Sequence, residues 1–410
     1  MSGEFNALRS NLPRYRHPTV VDLCVKTISV ESDTNNLDVW DLFTAHRELI
    51  ILPVLEGDIP IGLINRTIFM SQMSKPFHRE LYCKKSCIAF MDKDPLIVDS
   101  TMTIEELTFR AVEFGERALA DGFIITLDGK LEGVGFGLDL MKVVANLQAE
   151  KNRQIMQSID YASVIQTAML RTSHEALSKA VEDAYLVWQP RDVVGGDFHH
   201  FCVYPDGWFA AIADCTGHGV PGAFMTLIAS TTLAKALQER GPKDPAALFM
   251  DVNRGIKETL GQVDGREDSS QSNDGLDAAF VWFERSSGKL TFAGARIGLW
   301  VLDPSKAGFE ITDGERTGIG YLESPFDYQW TNKTIELASG SLIFMTTDGM
   351  IDQIGGPQGI SFGKRRIRDA ILKQRSGTTE QISQGLLSEY TAWQGEQRRR
   401  DDVTFVCIRS

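Results

Sequence analysis

Residues 198–222 read FHHFCVYPDGWFAAIADCTGHGVPG. Two apolar runs flank Pro205-Asp206-Gly207, a turn signal, so the first part of the stretch reads as a β-hairpin. The second run ends on Asp214. Gly217 and Gly219 then permit tight backbone geometry, and Pro221 suits the start of a following helix. Short alternating strands of the same kind continue to the C-terminus as YLVWQP, AAFVWFERSSGKLTFAGARIGLWVLD, LIFMTTDGM and VTFVCIRS. Two longer helical segments, after Gly222 and after Ala246, interrupt them. Strands on inner faces with helices outside predict a layered α+β domain.

Acidic residues recur where these strands break. Asp197 lies in Val194-Gly195-Gly196-Asp197-Phe198, and Asp348 follows Ile343-Phe344-Met345-Thr346-Thr347. Asp401 and Asp402 open Asp401-Asp402-Val403-Thr404, just before the last strand. With Asp214, these carboxylates can converge across a sheet sandwich, where cations must relieve their repulsion. Hard oxygen ligands favour Mg²⁺ or Mn²⁺ over zinc or copper. A lone Asp-Gly pair is ordinarily only a turn. The ordered set is what carries the chemistry.

In that order the motifs resemble the PPM family of metal-dependent Ser/Thr protein phosphatases, in its SpoIIE/RsbU branch. The resemblance runs from the helix around Ser158-Ile159-Asp160-Tyr161-Ala162 to the C-terminus. Within it, WQPRDVVGGDF, ADCTGHGVPGAFMT, SNDGLDAA, FAGAR, TTDGMIDQIGG and FGKRR are similar to the SiaA-type biofilm-regulating phosphatases.

The resemblance implies a PPM β-sandwich flanked by helices and a catalytic site with two divalent cations, Mn²⁺ or Mg²⁺. Carried over to this chain, Asp214 bridges the two cations and Asp348 and Asp401 complete one coordination sphere. Asp197 and the backbone carbonyl of Cys215 help to hold the other. A metal-activated water would attack the phosphoryl group in line, with no phosphoenzyme. The implied substrate is a phosphorylated switch protein, such as an anti-sigma-factor antagonist or a SiaC-like partner. Arg191, Arg296 and Lys364 lie in or near matching motifs and are candidates for phosphate contact, with surface ion pairing as the alternative. Whether Asp402 joins the metal site stays open. The branch commonly carries a second Asp three residues after the first, where this chain has His200. An imidazole is softer than the carboxylates Mg²⁺ prefers, which favours a place on the surface or behind the ligands. His218 reads as part of the glycine turn, and Arg398-Arg399-Arg400 as a solvated edge, a docking patch or a partner for nearby acids.

The N-terminal part is organised differently. TISVESDTNNLDVWDLF with LIILPVLEGDIPIGLINRTIFMSQM is followed by PLIVDSTMTIEELTF with GFIITLDGKLEGVGFGLDLMKVV. Each copy reads as strand, helix, strand, strand, helix, an internal repeat of about 70 residues. The pattern resembles a tandem CBS pair. Adenine-nucleotide sensing, and dimerisation or protein sensing without a small ligand, are both open. Of the positions such domains use, Asn65-Arg66-Thr67-Ile68 departs from the pattern and Asp139 fits it. From Leu138 to Leu170, Leu140, Val144, Leu147, Ile155, Ile159, Ala162, Ile165 and Met169 recur at helical spacing. A continuous helix there would span about 45 Å. It reads as a coiled-coil stalk between domains and between two chains of a homodimer, or in its second half as a core helix of the catalytic domain. The expected organisation is thus a CBS-like α/β domain over residues 1–137, a helical linker over 138–170 and the phosphatase domain over 171–410.

A chain of 410 residues, 43% hydrophobic and 24% charged, folds as two or three domains. Its net charge of −13 excludes nucleic-acid binding through a broad cationic surface. The six cysteines form no CxxC pair; Cys83 and Cys87 could share a helix face but lack the further ligands zinc needs. MSGEFNALRSNLPRYRHP lacks a secretory core, and no apolar run reaches membrane-spanning length, so a cytoplasmic location is expected. Two other functions are open on these residues. A catalytically degenerate scaffold is kept open by His200, and Gly-Gly-Asp-Phe partly matches nucleotide cyclases, which need an acidic residue at position 198.

Overall fold

The computed structural model describes residues 18–263 and 273–410. The segment from which the lack of a secretory signal was read (residues 1–17), and Ser272 of the SNDGLDAA motif, lie outside the described residues. The chain divides into two compact units, Met1–Gln154 and Ile155–Ser410.

The first unit contains the repeat in its strand pairing. Val30–Glu31 pairs in parallel with Ile51–Glu56, which pairs antiparallel with Ile59–Asn65. Ile97–Asp99, Phe123–Leu127 and Lys130–Gly135 repeat that arrangement. The hairpin of each copy shifts register at an equivalent place, after Val54 and after Ile125. Helix starts are specified locally. Asn35 and Asn65 cap their helices through side-chain oxygens, and Thr103 with Glu106 closes a capping box. Asn65 also donates to Asp121 at 2.8 Å, while Asp139 pairs with Lys142 at 2.9 Å. The two positions that such domains use for nucleotide contact therefore have partners within the fold. All six cysteines are free thiols, and the buried Cys87 points at the backbone carbonyl of Glu31.

One helix, Gly137–Ala180, runs from the first unit into the second. It continues ten residues beyond Leu170, because Leu170 and Leu177 are buried in the cores of the second unit.

The second unit is a four-layer sandwich. One antiparallel sheet has the strand order Lys333–Glu336, Lys289–Ala295, Leu276–Glu284, Gly207–Cys215, Asp197–Tyr204. The other has the order Glu310–Thr312, Leu299–Leu302, Leu342–Thr346, Val403–Arg409, Ala184–Gln189. The strand Gly207–Cys215 shows why the layers form. Trp208, Ala210 and Ile212 join the core between the sheets, with Ile343, Met345, Val406 and Ile408 opposite. Their alternates Phe209, Ala211 and Ala213 pack under the helices Gly219–Arg240 and Pro245–Leu260. A side-chain period of two that is apolar on both faces leaves such a strand no solvated side. The second sheet is covered in the same way by Gly363–Lys373 and Thr379–Gln394 through Ile367, Ile371, Leu386 and Tyr390. Gly219–Arg240 is, by length and composition, the one described helix able to cross a membrane. Met225, Ala229 and Leu233 instead bury one of its faces on the first sheet.

Candidate metal centre

Register brings three carboxylates into one row. Asp214 is paired with Asp197 on one side and with Asp277 on the other. Asp197 shares its strand face with Phe201, Asp214 with Ile212 and Asp277 with Ala279, and those three apolar residues face the core between the sheets. The three acids therefore point from adjacent strands towards the second sheet, at the end of the sandwich. Side chains directly opposite in an antiparallel pair have Cβ atoms roughly 5 Å apart, where like charges destabilise. The second sheet adds Asp348, just past Leu342–Thr346, and Asp401, just before Val403–Arg409.

Asp214, Asp277, Asp348 and Asp401 line one cavity of about 150 Å³, with the Cys215–Gly217 turn, His218 and Tyr321. No lysine or arginine belongs to that lining. Burial, followed by the charges of Asp197, Asp348 and Asp401, pushes the Asp214 carboxyl well above its usual range. Burial drives Asp277 up to about 6, although the Arg296 guanidinium opposes it at 3.3 Å. Among the described residues, no three His, Cys, Asp or Glu side chains are drawn into a closed cation cage. The oxygen-only set, with Arg296 beside Asp277 as its one ion-pair partner and no Lys or Arg in the lining, suits Mg²⁺ or Mn²⁺ with water as additional ligands.

Asp197 lies behind the cavity and is only 1% exposed. Its Oδ2 accepts from the Thr347 hydroxyl at 2.8 Å, and burial holds its carboxyl well above the usual range. Asp402 is turned away from the cavity. Its Oδ1 accepts from the Arg191 N–H at 2.5 Å, and its Oδ2 from the N–H groups of Gly196 and Asp197 at 2.6 and 3.3 Å. It anchors the loop that carries Asp197. Gly196 is required there, because a Cβ would stand 2.4 Å from the Gly217 carbonyl oxygen. Gln166 of the long helix clasps the same loop, donating to the Gly195 carbonyl at 2.7 Å and accepting from its N–H at 3.1 Å.

The three basic candidates are placed differently. Arg296 lies 4.8 Å from the Tyr321 ring centroid and bridges Asp277 and Glu323, so it touches two cavity-lining residues. Arg191 donates to the Arg400 carbonyl and lies beside Asp192, outside the cavity lining. Lys364 is exposed in the first turn of Gly363–Lys373 and is not part of that lining.

Strand alternation also decides His200. It points to the helix layer with Phe209, its Nε2 lies 3.0 Å from the Cys202 sulfur, and burial pushes it down to about 4. His200→Leu is expected to change the activity of the site by less than about threefold, since the side chain is on the face opposite Asp197. An imidazole whose folded pKa lies below the unfolded value costs stability as pH falls from about 6.5 towards 4. The variant should lose that part of the acid sensitivity in urea denaturation measured across this window. Phe198, where a nucleotide cyclase would need an acid, is buried in the core under the helices.

Sequence reading did not single out Asp277, Tyr321, Asp192 or Gln166. Asp277 offered one signal, a carboxylate within an otherwise apolar strand, but it sits at no strand break.

Residues 204–410 match the family profile of stage II sporulation protein E (SpoIIE). No curated protein sequence matches the chain. Among solved structures, the SiaA-PP2C domain of Pseudomonas aeruginosa is similar at 33% identity and TM-score 0.57, covering 64% of this chain and 99% of that one. The PP2C phosphatase domain with a regulatory fragment of SpoIIE from Bacillus subtilis matches at 16% identity and TM-score 0.43, covering 55% and 61%.

Proposed function

Because this chain belongs to the SpoIIE family and carries a PP2C-type serine/threonine phosphatase domain, we propose that its substrate is a phosphorylated regulatory protein. The substrate class is an anti-sigma-factor antagonist or a SiaC-like switch protein, met in the cytoplasm. The observation that carries the reading is the convergence of four carboxylates on one small cavity with no lysine or arginine in its lining.

Asp214, Asp348 and Asp401 would hold one cation; Asp214, Asp197 and the Cys215 carbonyl would hold the second. Such a pair, when bound, supplies an acidified water and neutralises charge on phosphoryl oxygens. The chain's own residues do the positioning. Asp402 and Gln166 hold the loop before Asp197 through the Gly196 and Gly195 backbones. Arg296, held against Asp277 and Tyr321, presents a guanidinium at the cavity wall that suits a phosphate oxygen. The test uses the phosphoproteins that accumulate in a strain lacking this protein. Purified protein with Mn²⁺ should release their phosphate from serine or threonine. If all retain phosphate while a simple phosphoester is hydrolysed, the substrate assignment fails.

The reading includes regulation by the N-terminal CBS-like unit. Gln166 lies on the helix that continues from that unit, so a change in the helix would reach the loop carrying Asp197 through two hydrogen bonds. Gln166→Ala is expected to raise the Mn²⁺ concentration for half-maximal activity by about tenfold, as other outer supports of metal sites do. Titration of activity and calorimetric Mn²⁺ binding would both read this, and an unchanged affinity would remove Gln166 from the route. Ile155, Tyr161, Val164 and Ile165 are exposed on the same helix, an apolar surface suited to a second copy of the chain. Light scattering tests the homodimer, and a concentration-independent monomer would end that part of the reading.

A further inference from the structure

We propose that the segment joining the two N-terminal repeats binds anionic lipid bilayers. Phe77 and Leu81 enter the headgroup layer, while Lys75, Arg79, Lys84 and Lys85 meet its phosphates. This inference stands apart from the phosphatase reading and does not rest on it. Residues 74–85 read SKPFHRELYCKK, four cations against one acid, Glu80, in a chain of net charge −13. Lys26, Arg117 and Lys130 of the same unit each meet a carboxylate. Among the described residues, none of the four cations in this segment does so. Arg79 lies over the Trp40 ring at 5.1 Å and Lys85 over the Tyr82 ring at 4.5 Å, contacts that hold both cations at the surface without neutralising them.

The apolar side chains are held outward. Phe77 stands in left-handed backbone (φ 64°, ψ −9°) just before the helix His78–Tyr82, and it is 73% exposed. Such a position ordinarily takes Gly or Asn, so a phenylalanine there bears strain while most of its ring gains no packing. Leu81, 61% exposed, follows four residues later and shares the face of Phe77. Cys83 keeps helical backbone past the helix end (φ −53°, ψ −36°), so Lys84 continues that face three residues beyond Leu81. The repeat itself does not require this segment. Where Arg66–Met73 ends in the first copy and a second short helix follows, the equivalent helix of the second copy simply runs on as Gly137–Ala180.

Charge complementarity selects the partner. Anionic headgroups accept cations at any spacing, and the layer beneath them takes apolar side chains that protrude. Lys75, Lys84 and Lys85 are exposed, and among the described residues no hydrogen bond sets the direction of their ammonium groups. A fluid headgroup layer suits such mobile cations, whereas a protein groove would need them at fixed positions. The acidic remainder of the chain is repelled by the same surface, so contact is oriented through this segment and weakens as salt shortens the reach of the attraction, about 10 Å at 0.1 M.

The test is co-sedimentation of the full chain with extruded vesicles, of phosphatidylcholine alone or mixed equally with phosphatidylglycerol. Wild type should partition onto the anionic vesicles at least about tenfold better than onto the zwitterionic ones, and lose that preference in about 0.5 M NaCl. Lys84→Glu combined with Lys85→Glu should weaken anionic binding by about 30-fold or more, roughly fivefold for each cation removed. Phe77→Gly should weaken it by about tenfold while Tm stays level or rises, because glycine suits the left-handed backbone. Mn²⁺-dependent hydrolysis of p-nitrophenyl phosphate in buffer should be the same in wild type and variants, which keeps this result separate from the phosphatase reading. Equal partitioning of wild type onto both kinds of vesicle, or variants that bind as wild type does, would overturn the proposal. So would a wild type that ignores vesicles while the double lysine variant changes oligomeric state in light scattering; the occupant would then be a second copy of the chain.

Discussion

Asp214→Asn is expected to abolish phosphate release, by at least about 10³-fold, while making the metal-free protein more stable. Both effects come from one position. Asp214 is the middle carboxylate of a row across three strands, with Asp197 and Asp277 directly opposite it and Asp348 and Asp401 facing the same cavity. The fold holds these charges together at a cost that burial increases. Removing the central charge relieves the repulsion and, on the proposed reading, removes the one residue that would serve both cations. A gain of about 1 kcal/mol would raise Tm by roughly 2–4 °C in a unit of this size. Mn²⁺ should raise Tm in wild type and not in the variant. Retained Mn²⁺-dependent stabilisation together with retained activity would remove Asp214 from the centre.

Asp402→Ala should damage the protein in the opposite sense, lowering stability by about 3 kcal/mol and taking activity with it. The adjacent acids in Asp401-Asp402 invite the same reading in sequence, yet the structure separates their work. Asp401 opens on the cavity, while Asp402 is 2% exposed and accepts three backbone N–H groups from the loop at Arg191, Gly196 and Asp197. Alanine would leave those donors unpaired in a buried place and release the loop that carries both Asp192 and Asp197. Urea denaturation of the metal-free protein reads the first effect without involving the cations. A change below about 0.5 kcal/mol, which is typical of an uninvolved surface site, would contradict the anchoring role.

The legible part of the site followed from local signals. Asp214 and Asp348 stand where apolar strands stop and Asp401 where one starts, and Pro205-Asp206-Gly207 and Ser287-Gly288-Lys289 turn the chain where such residues can. Asp277 was not legible because its role depends on lying opposite Asp214, a fact of register between strands separated by the helices Gly219–Arg240 and Pro245–Leu260. The contact of His218 with Asp192, at 3.0 Å, was not legible because the two stand 26 residues apart on separate loops. The long helix was predicted from its spacing, but its last ten residues depended on burial of Leu177 in the sheet core.

The sequence by itself determined the α+β class, the duplicated N-terminal pattern, the order of acidic strand ends and the hard-cation chemistry they invite. Those features depend on side-chain periodicity, turn residues and ligand type, all of which act over a few neighbouring positions. Only the tertiary structure decided which carboxylates share the cavity, that Asp402 anchors rather than opens on it, and that His200 faces the helices. Those outcomes depend on strand register and on which face of a sheet is buried. A shift of one residue would reverse each of them without altering the local sequence signals.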